Sequence, residues 1–341
     1  MTSPKATRAA LALALTMVAA LLGGCADTPK ATSEVSAPVT LRVNVFRGSS
    51  NIPIHMAMER GYFAARGITA VLQFTPNSVQ QRDGLAAGRF DIAHAAVDNA
   101  VAMVEVARHD IVIVAGGDSG MNELLVRPDI MRVADLRGRT LAVDAPNTAY
   151  ALLGRKILKN AGLVDGKDYK LNPVGGSQTR TMALDNPNGA AAILNPPWNY
   201  IAKERGAKSL GRTLDLYGAY QATGAFVQRD WARAHANELE RYLASFIEGC
   251  RAAQDPANRE QTLAVLQREL QLERRVAELT YQDLITPGHG LSRDCAFDLP
   301  GFRNVLALRA EMEGQWDGKA PAPDKYIDLS YYQRALALTA R

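Results

Sequence analysis

The sequence predicts an α/β protein of two lobes, and three observations carry that reading. Short β-branched runs alternate with helical stretches from about residue 40 onward, the signature of a parallel sheet with crossover helices. The chain has 341 residues, 47% of them hydrophobic, which beyond its leader supports a core that usually divides in two. Phe226 and Val227 then look like a return strand after a second α/β run, so the chain leaves one lobe, builds another and comes back.

The first forty residues read as an export address. Lys5 and Arg8 precede an uncharged run from Ala9 to Leu22, shorter than the ~20 residues a bilayer-spanning helix needs and fitting a secretory signal over 1–24. Leu22-Gly23-Gly24-Cys25 resembles the bacterial lipoprotein box. That resemblance implies cleavage before Cys25 and its acylation, each buried CH₂ then contributing about 0.8 kcal/mol to membrane attachment. Residues 25–39 are too polar and small to fold and read as a flexible tether. The expected location is the periplasmic side of a bacterial membrane.

Loss of 1–24 removes two of the 39 basic residues and no acid, leaving 37 against 35, a formal +2. No stretch combines clustered basic residues with aromatics, so nucleic acid is not an expected partner. Beyond Cys25 only Cys250 and Cys295 remain. In an oxidising compartment they either pair or leave Cys250 as a buried thiol on the helical stripe Leu239, Tyr242, Leu243, Phe246, Ile247.

In chain order, Leu41–Phe46 alternates as a first strand, and Pro53 suits the first turn of the helix carrying Met56 to Tyr62. Strand 70–74, helix 79–87 stopped by Gly88, strand 90–96, helix 100–107 and strand 111–115 complete one α/β unit. A strand at 124–127 leads out. The second unit has strand 140–143, helix 148–161, a strand near Leu171, a short helix at 179–184, strand 190–194 and a helix ending at Lys203–Gly206. Amphipathic helices follow near 231–252, 257–270, 273–284 and 300–312, with a last one at 329–338. The lobes are thus 40–127 with 225–341, and 128–224.

Three segments then carry a family resemblance. Glu59-Arg60-Gly61-Tyr62-Phe63 with Arg66-Gly67-Ile68, Leu85-Ala86-Ala87-Gly88-Arg89-Phe90-Asp91-Ile92-Ala93, and Asp135-Leu136-Arg137-Gly138-Arg139-Thr140-Leu141-Ala142-Val143 resemble, in order and spacing, signatures of the solute-binding proteins for sulfonates, nitrate, taurine and thiamine precursors. The resemblance spans about residues 40–310. It implies the periplasmic-binding-protein-like fold and the capture of a small solute, delivered by a monomer to the membrane permease of an ABC importer. The signatures themselves have structural work to do, glycines at turns and aromatics anchoring a helix to the sheet.

Ligand contacts are expected at the carboxyl ends of strands, where the crevice of an open α/β sheet lies. Five loops qualify. Arg47-Gly48-Ser49-Ser50-Asn51 offers Ser50 and Asn51 as helix caps or ligand contacts. Asp98 either receives ligand donors or caps the following helix, and Asp118 lies in the glycine-rich 116–120 loop. In Asp144–Tyr150, Asn147 and Thr148 are the preferred contacts, because the family's matching helix start receives the solute's polar end. Asn195 and Trp198 sit in a proline-stiffened loop, Trp198 being either a flat wall for the ligand or interlobe packing. Tyr217 and Tyr220, next to the return strand, either close the cleft or belong to the core.

The ligand's charge stays open: Asp98, Asp118 and Asp144 face Arg47 and, farther away, Arg180. A sulfonate- or carboxylate-like solute and a nitrogen heterocycle both fit. Scarce cleft cations disfavour a bare oxyanion. Relatives that do chemistry carry cysteine motifs this chain lacks, and its five histidines show no metal-ligand spacing. The reading is therefore a binding protein without cofactor or metal, not an enzyme; a membrane-anchored sensor is the other class left standing.

Overall fold

The computed structural model describes residues 38–186 and 189–339. The signal at 1–24, Cys25 and the tether up to residue 37 lie outside them. Among the described residues ten strands form two five-stranded sheets. The first holds β1 (Val39–Val45), β2 (Ile68–Phe74), β3 (Ile92–Ala96) and β4 (Ile111–Ala115). The second holds β5 (Glu123–Val126), β6 (Arg139–Val143), β7 (Tyr169–Pro173), β8 (Gly189–Leu194) and β9 (Lys208–Arg212). The return strand β10 (Thr223–Gln228) rejoins the first, giving the orders β2-β1-β3-β10-β4 and β7-β6-β8-β5-β9.

Both sheets are mixed where a parallel sheet was expected. β1 runs parallel to β2 and β3, and β6 parallel to β7 and β8. β10 is antiparallel to β3 and β4, and β5 is antiparallel to β8 and β9. The reversal is a consequence of the two crossings, since each enters a sheet from the other lobe and not from a crossover helix. The strand at 123–126, placed in the first lobe by a boundary at 127, hydrogen-bonds only within the second sheet. The crossings therefore lie between Ala115 and Glu123 and between Arg212 and Thr223. β9 and the short helix Thr213–Tyr217 were not expected, because Lys208-Ser209-Leu210-Gly211-Arg212 is a polar edge strand without apolar alternation.

The signature segments hold this frame together. Gly61, Gly67, Gly88 and Gly138 all have positive φ, from 62° to 76°, a region that favours glycine. Phe63 stacks on Tyr242 at 5.2 Å. Asp91 accepts the Arg42 backbone N–H and its guanidinium, both at 2.7 Å, tying the entry of β3 to β1. Asp135 accepts the backbone N–H groups of Met131 and Arg132, closing the turn into β6.

The long helix Ala236–Gln254 buries the expected stripe Leu239, Tyr242, Leu243, Phe246, Ile247 and Cys250 against the first sheet. Gly249 lets it meet the helix Ile52–Glu59, because a Cβ there would collide with the Pro53 carbonyl. Of the two states left open for Cys250, the structure shows the paired one: Cys250 and Cys295 form a disulfide, Cα atoms 6.1 Å apart and 45 residues separated. The outer edge of β4 is closed by Ile327, whose neighbours exchange backbone hydrogen bonds with Ile113 at 2.8 and 2.9 Å.

Closing a loop of this length restricts the unfolded chain, so reduction, or the Cys250→Ala/Cys295→Ala pair, is expected to cost about 2–4 kcal/mol of stability. Urea unfolding with and without reductant measures it. An unchanged midpoint would contradict the expectation.

Candidate functional site

The carboxyl ends of β1, β3, β4, β6, β7 and β8 converge on one cleft of about 770 Å³, its open mouth included. Phe46, Ser50, Asn51, His94, Asn99, Thr223 and Phe246 line it from the first lobe, and Thr148, Tyr150, Ser177, Arg180 and Asn195 from the second. The lobes touch around it. Gly176 N–H donates to Pro76 C=O at 2.9 Å and Ser78 N–H to Asp144 Oδ2 at 3.0 Å. On another side Ser49 Oγ donates to Pro196 C=O at 2.8 Å, and the Tyr200 hydroxyl to Asp283 at 2.6 Å. The structure is thus a closed form.

Of the residues singled out in the sequence, Ser50, Asn51, Thr148 and Asn195 meet on the cleft wall. Asn51 Nδ2 is held by the Phe46 carbonyl, and the Thr148 hydroxyl donates to Ala145 C=O at 2.8 Å. Asp118 lies one layer behind, 2% exposed, its carboxylate accepting from the Gly120 N–H and the Thr223 hydroxyl. Burial raises its pKa, against the opposing pull of these hydrogen bonds.

Four others fall elsewhere. Asp98 is buried with its oxygens on Nε and Nη2 of Arg309, at 2.7 and 2.5 Å, and so is an internal ion pair and not a cleft acid. Arg309 also donates to the backbone carbonyl of Asn147 at 3.0 Å, whose residue does not line the cleft. Trp198 donates its indole N–H to the Arg47 carbonyl at 2.9 Å, which makes it interlobe packing. Tyr220 is 3% exposed, edge-on to Tyr217 at 6.1 Å, and its buried hydroxyl finds no partner. It is core.

The residue that sequence reasoning left at a distance is Arg180. It sits on the helix Ser177–Ala183, 3% exposed, with Nη1 on the Ile193 carbonyl at 2.7 Å and Nη2 on Ser177 Oγ at 2.8 Å. Its Nε has no partner, and its guanidinium lies 5.7 Å from the Tyr150 ring centroid. Among the described residues no carboxylate forms an ion pair with it, Asp144 acting only from a distance. Burial lowers its pKa, the mark of a cation out of water without a counter-charge. Ser177 passes its own proton to Asn195 Oδ1 at 2.6 Å. The signal was available: Gly175-Gly176-Ser177 ends β7 by the same rule that picked the other loops. His94, inside a strand, gave none.

Among the described residues no cluster could hold a metal ion, and no helix is long and apolar enough to cross a membrane. The site is a closed polar cleft with one buried cation.

A sequence-family model described as the NMT1-like family matches residues 35–267. No curated protein sequence matches the chain. Solved structures do. A protein from Bordetella bronchiseptica RB50 is 18% identical, TM-score 0.76, over 89% of this chain and 98% of that one. The periplasmic nitrate-binding protein NrtA from Synechocystis PCC 6803 is 15% identical, TM-score 0.74, over 89% and 90%. The periplasmic aliphatic sulphonate-binding protein SsuA from Escherichia coli is 21% identical, TM-score 0.63, over 86% and 92%. At these identities the likeness is one of fold, the periplasmic-binding-protein fold.

His94 gives the cleft wall a pH dependence. Its imidazole shares a hydrogen bond with the Tyr242 hydroxyl at 2.9 Å, and burial pushes its pKa down to about 3. An unfolded histidine titrates near ~6.5, so between the two values the unfolded chain binds a proton that the folded chain refuses. His94's contribution is full above about pH 6.5 and declines as pH falls, by about 2 kcal/mol on reaching pH 5. Denaturation at several pH values reads this slope, which becomes shallower in His94→Gln; an unaltered slope would contradict the assignment.

Proposed function

Because the chain belongs to the NMT1-like family, we propose that it is the extracytoplasmic solute-binding component of an ABC importer and that its solute is a small organic anion. The proposed cycle is hinge closure: the lobe carrying β1–β4 and β10 closes on the lobe carrying β5–β9 over the solute, the chain swinging on the crossings after β4 and before β10, and the permease reads the closed shape. Cys25 anchors the chain to the membrane in this reading.

Arg180 carries the choice of an anion. A guanidinium taken out of water is costly unless a partner of opposite charge meets it, and Arg180 is a lining residue of the cleft whose buried Nε has no partner. The buried end of a carboxylate or sulfonate supplies that charge, and it does so only when the lobes are shut. Ligand binding and closure are then one event. The heterocycle alternative loses its supports, since Asp98 is bound to Arg309, Asp118 is satisfied behind the wall, and Trp198 is turned to Arg47.

Titration calorimetry of the chain with propanesulfonate, butanoate and a neutral aminopyrimidine tests this. The two acids are expected to bind, and Arg180→Met to weaken them by about 30-fold or more, with Arg180→Lys intermediate. Acid affinity untouched by Arg180→Met, or binding by the pyrimidine alone, would overturn the anion reading.

A further inference from the structure

One hydrogen bond between the lobes lies outside the cleft wall. The Tyr200 hydroxyl, on the helix Trp198–Glu204 of the second lobe, donates at 2.6 Å to Asp283 Oδ2, on the helix Arg274–Ile285 of the first. Neither residue lines the cleft. The Tyr200 ring is half-buried against the first lobe's core and Asp283 is 5% exposed. The hydroxyl therefore answers a carboxylate largely out of water, and a hydrogen bond to such a charge is of the stronger kind. The neighbouring Arg275–Glu204 contact is weaker, at 3.9 Å between exposed side chains.

Both partners are anchored to the crossing between β4 and β5. In the second lobe Asn199 Nδ2 and Lys203 Nζ donate to Glu123 Oε1, at 2.9 and 2.7 Å, which pins the Tyr200 helix to the first residue of β5. In the first lobe the chain turns back after Ile285, and His289 Nε2 comes to 3.4 Å from Asp283 Oδ1. Gly290 packs so closely there that a Cβ would collide with the Asp283 and Leu284 carbonyls. The same turn grips the crossing: Ser119 N–H donates to Gly290 C=O at 3.2 Å, and Ser292 N–H to Gly117 C=O at 2.9 Å. Donor and acceptor are thus each tied to one end of the segment on which the lobes swing. Rotation about that segment carries them apart, and a hydrogen bond is steep in distance and angle. It is made only with the lobes shut.

Resting on the hinge-closure reading above, we propose that Tyr200 and Asp283 position the two lobes against each other, as a latch outside the cleft that sets how firmly they close over whatever solute is bound. The latch touches no solute. It changes the population of the closed form, and so scales every affinity by the same factor. Choice among solutes stays with the cleft.

Amide hydrogen exchange on the whole chain tests the latch at a distance from it. The N–H groups of Gly176 and Ser78 donate across the lobes on another side of the cleft, to Pro76 C=O and Asp144, so they report closure and not local loosening around Tyr200. Exchange is followed in the chain alone and with propanesulfonate or butanoate in excess. Tyr200→Phe removes the hydroxyl and keeps the packed ring. It is expected to speed exchange at both amides by about tenfold, while the Ile113 amide, bonded within the first lobe to Tyr326 C=O, exchanges as before. Asp283→Ala is expected to act alike, and Tyr200→Phe added to it to contribute less than about twofold. Where Asp283→Ala also speeds the Ile113 amide, Tyr200→Phe alone decides. Equal exchange at Gly176 and Ser78 in Tyr200→Phe and the unchanged chain, whether slow or fast, overturns the latch. Faster exchange in Tyr200→Phe without any response to either acid leaves the latch standing and overturns the anion reading.

Discussion

A buried positive charge without a carboxylate partner is the constraint around which the rest of the molecule is arranged. Arg180 is held by the Ile193 carbonyl and Ser177 Oγ, with its guanidinium over the Tyr150 ring. In water such a group would be ordinary. Inside the closed cleft it makes the empty closed form unfavourable and the anion-filled closed form favourable, which is how a binding protein couples occupancy to shape.

The surroundings leave this buried charge unanswered among the described residues. Asp98, which could have neutralised a cleft cation, is committed to Arg309, and Asp144 receives the Ser78 N–H across the lobes. Asp118 is held behind the wall by the Gly120 N–H and the Thr223 hydroxyl. His94, neutral by burial, adds no second positive charge. The Asp98–Arg309 pair has a further consequence, because Arg309 reaches the Asn147 carbonyl in the loop that opens the helix Ala149–Asn160. It braces that loop from the first lobe in the closed form. Trp198 does the same on the opposite face through Arg47.

Much of the fold was legible because it is written locally. β-Branched runs such as Ile111–Ala115 mark strands, Gly61, Gly67 and Gly88 mark turns, and the stripe from Leu239 to Cys250 marks the core helix. Strand direction was not, since an antiparallel β10 has the same residue pattern as a parallel one, and the polar β9 has hardly any pattern. Of the site, Ser50, Asn51, Thr148 and Asn195 followed from the rule that ligands meet strand ends. Asp98 misled because its partner lies 211 residues away, and no periodicity reports such a pair. Trp198 and Tyr220 misled because a large amphipathic ring suits a wall and a core equally well. Arg180 was visible but read as remote, its burial arising from tertiary contacts with Ile193 and Tyr150 that its own helix pattern does not report.

Crystals of the chain grown with a bound carboxylate or sulfonate test the central claim most directly. The account predicts acid oxygens within hydrogen-bonding distance of Arg180 Nε, with the lobes closed as described. An acid bound elsewhere, with Asp144 rotated onto the Arg180 guanidinium, would contradict it.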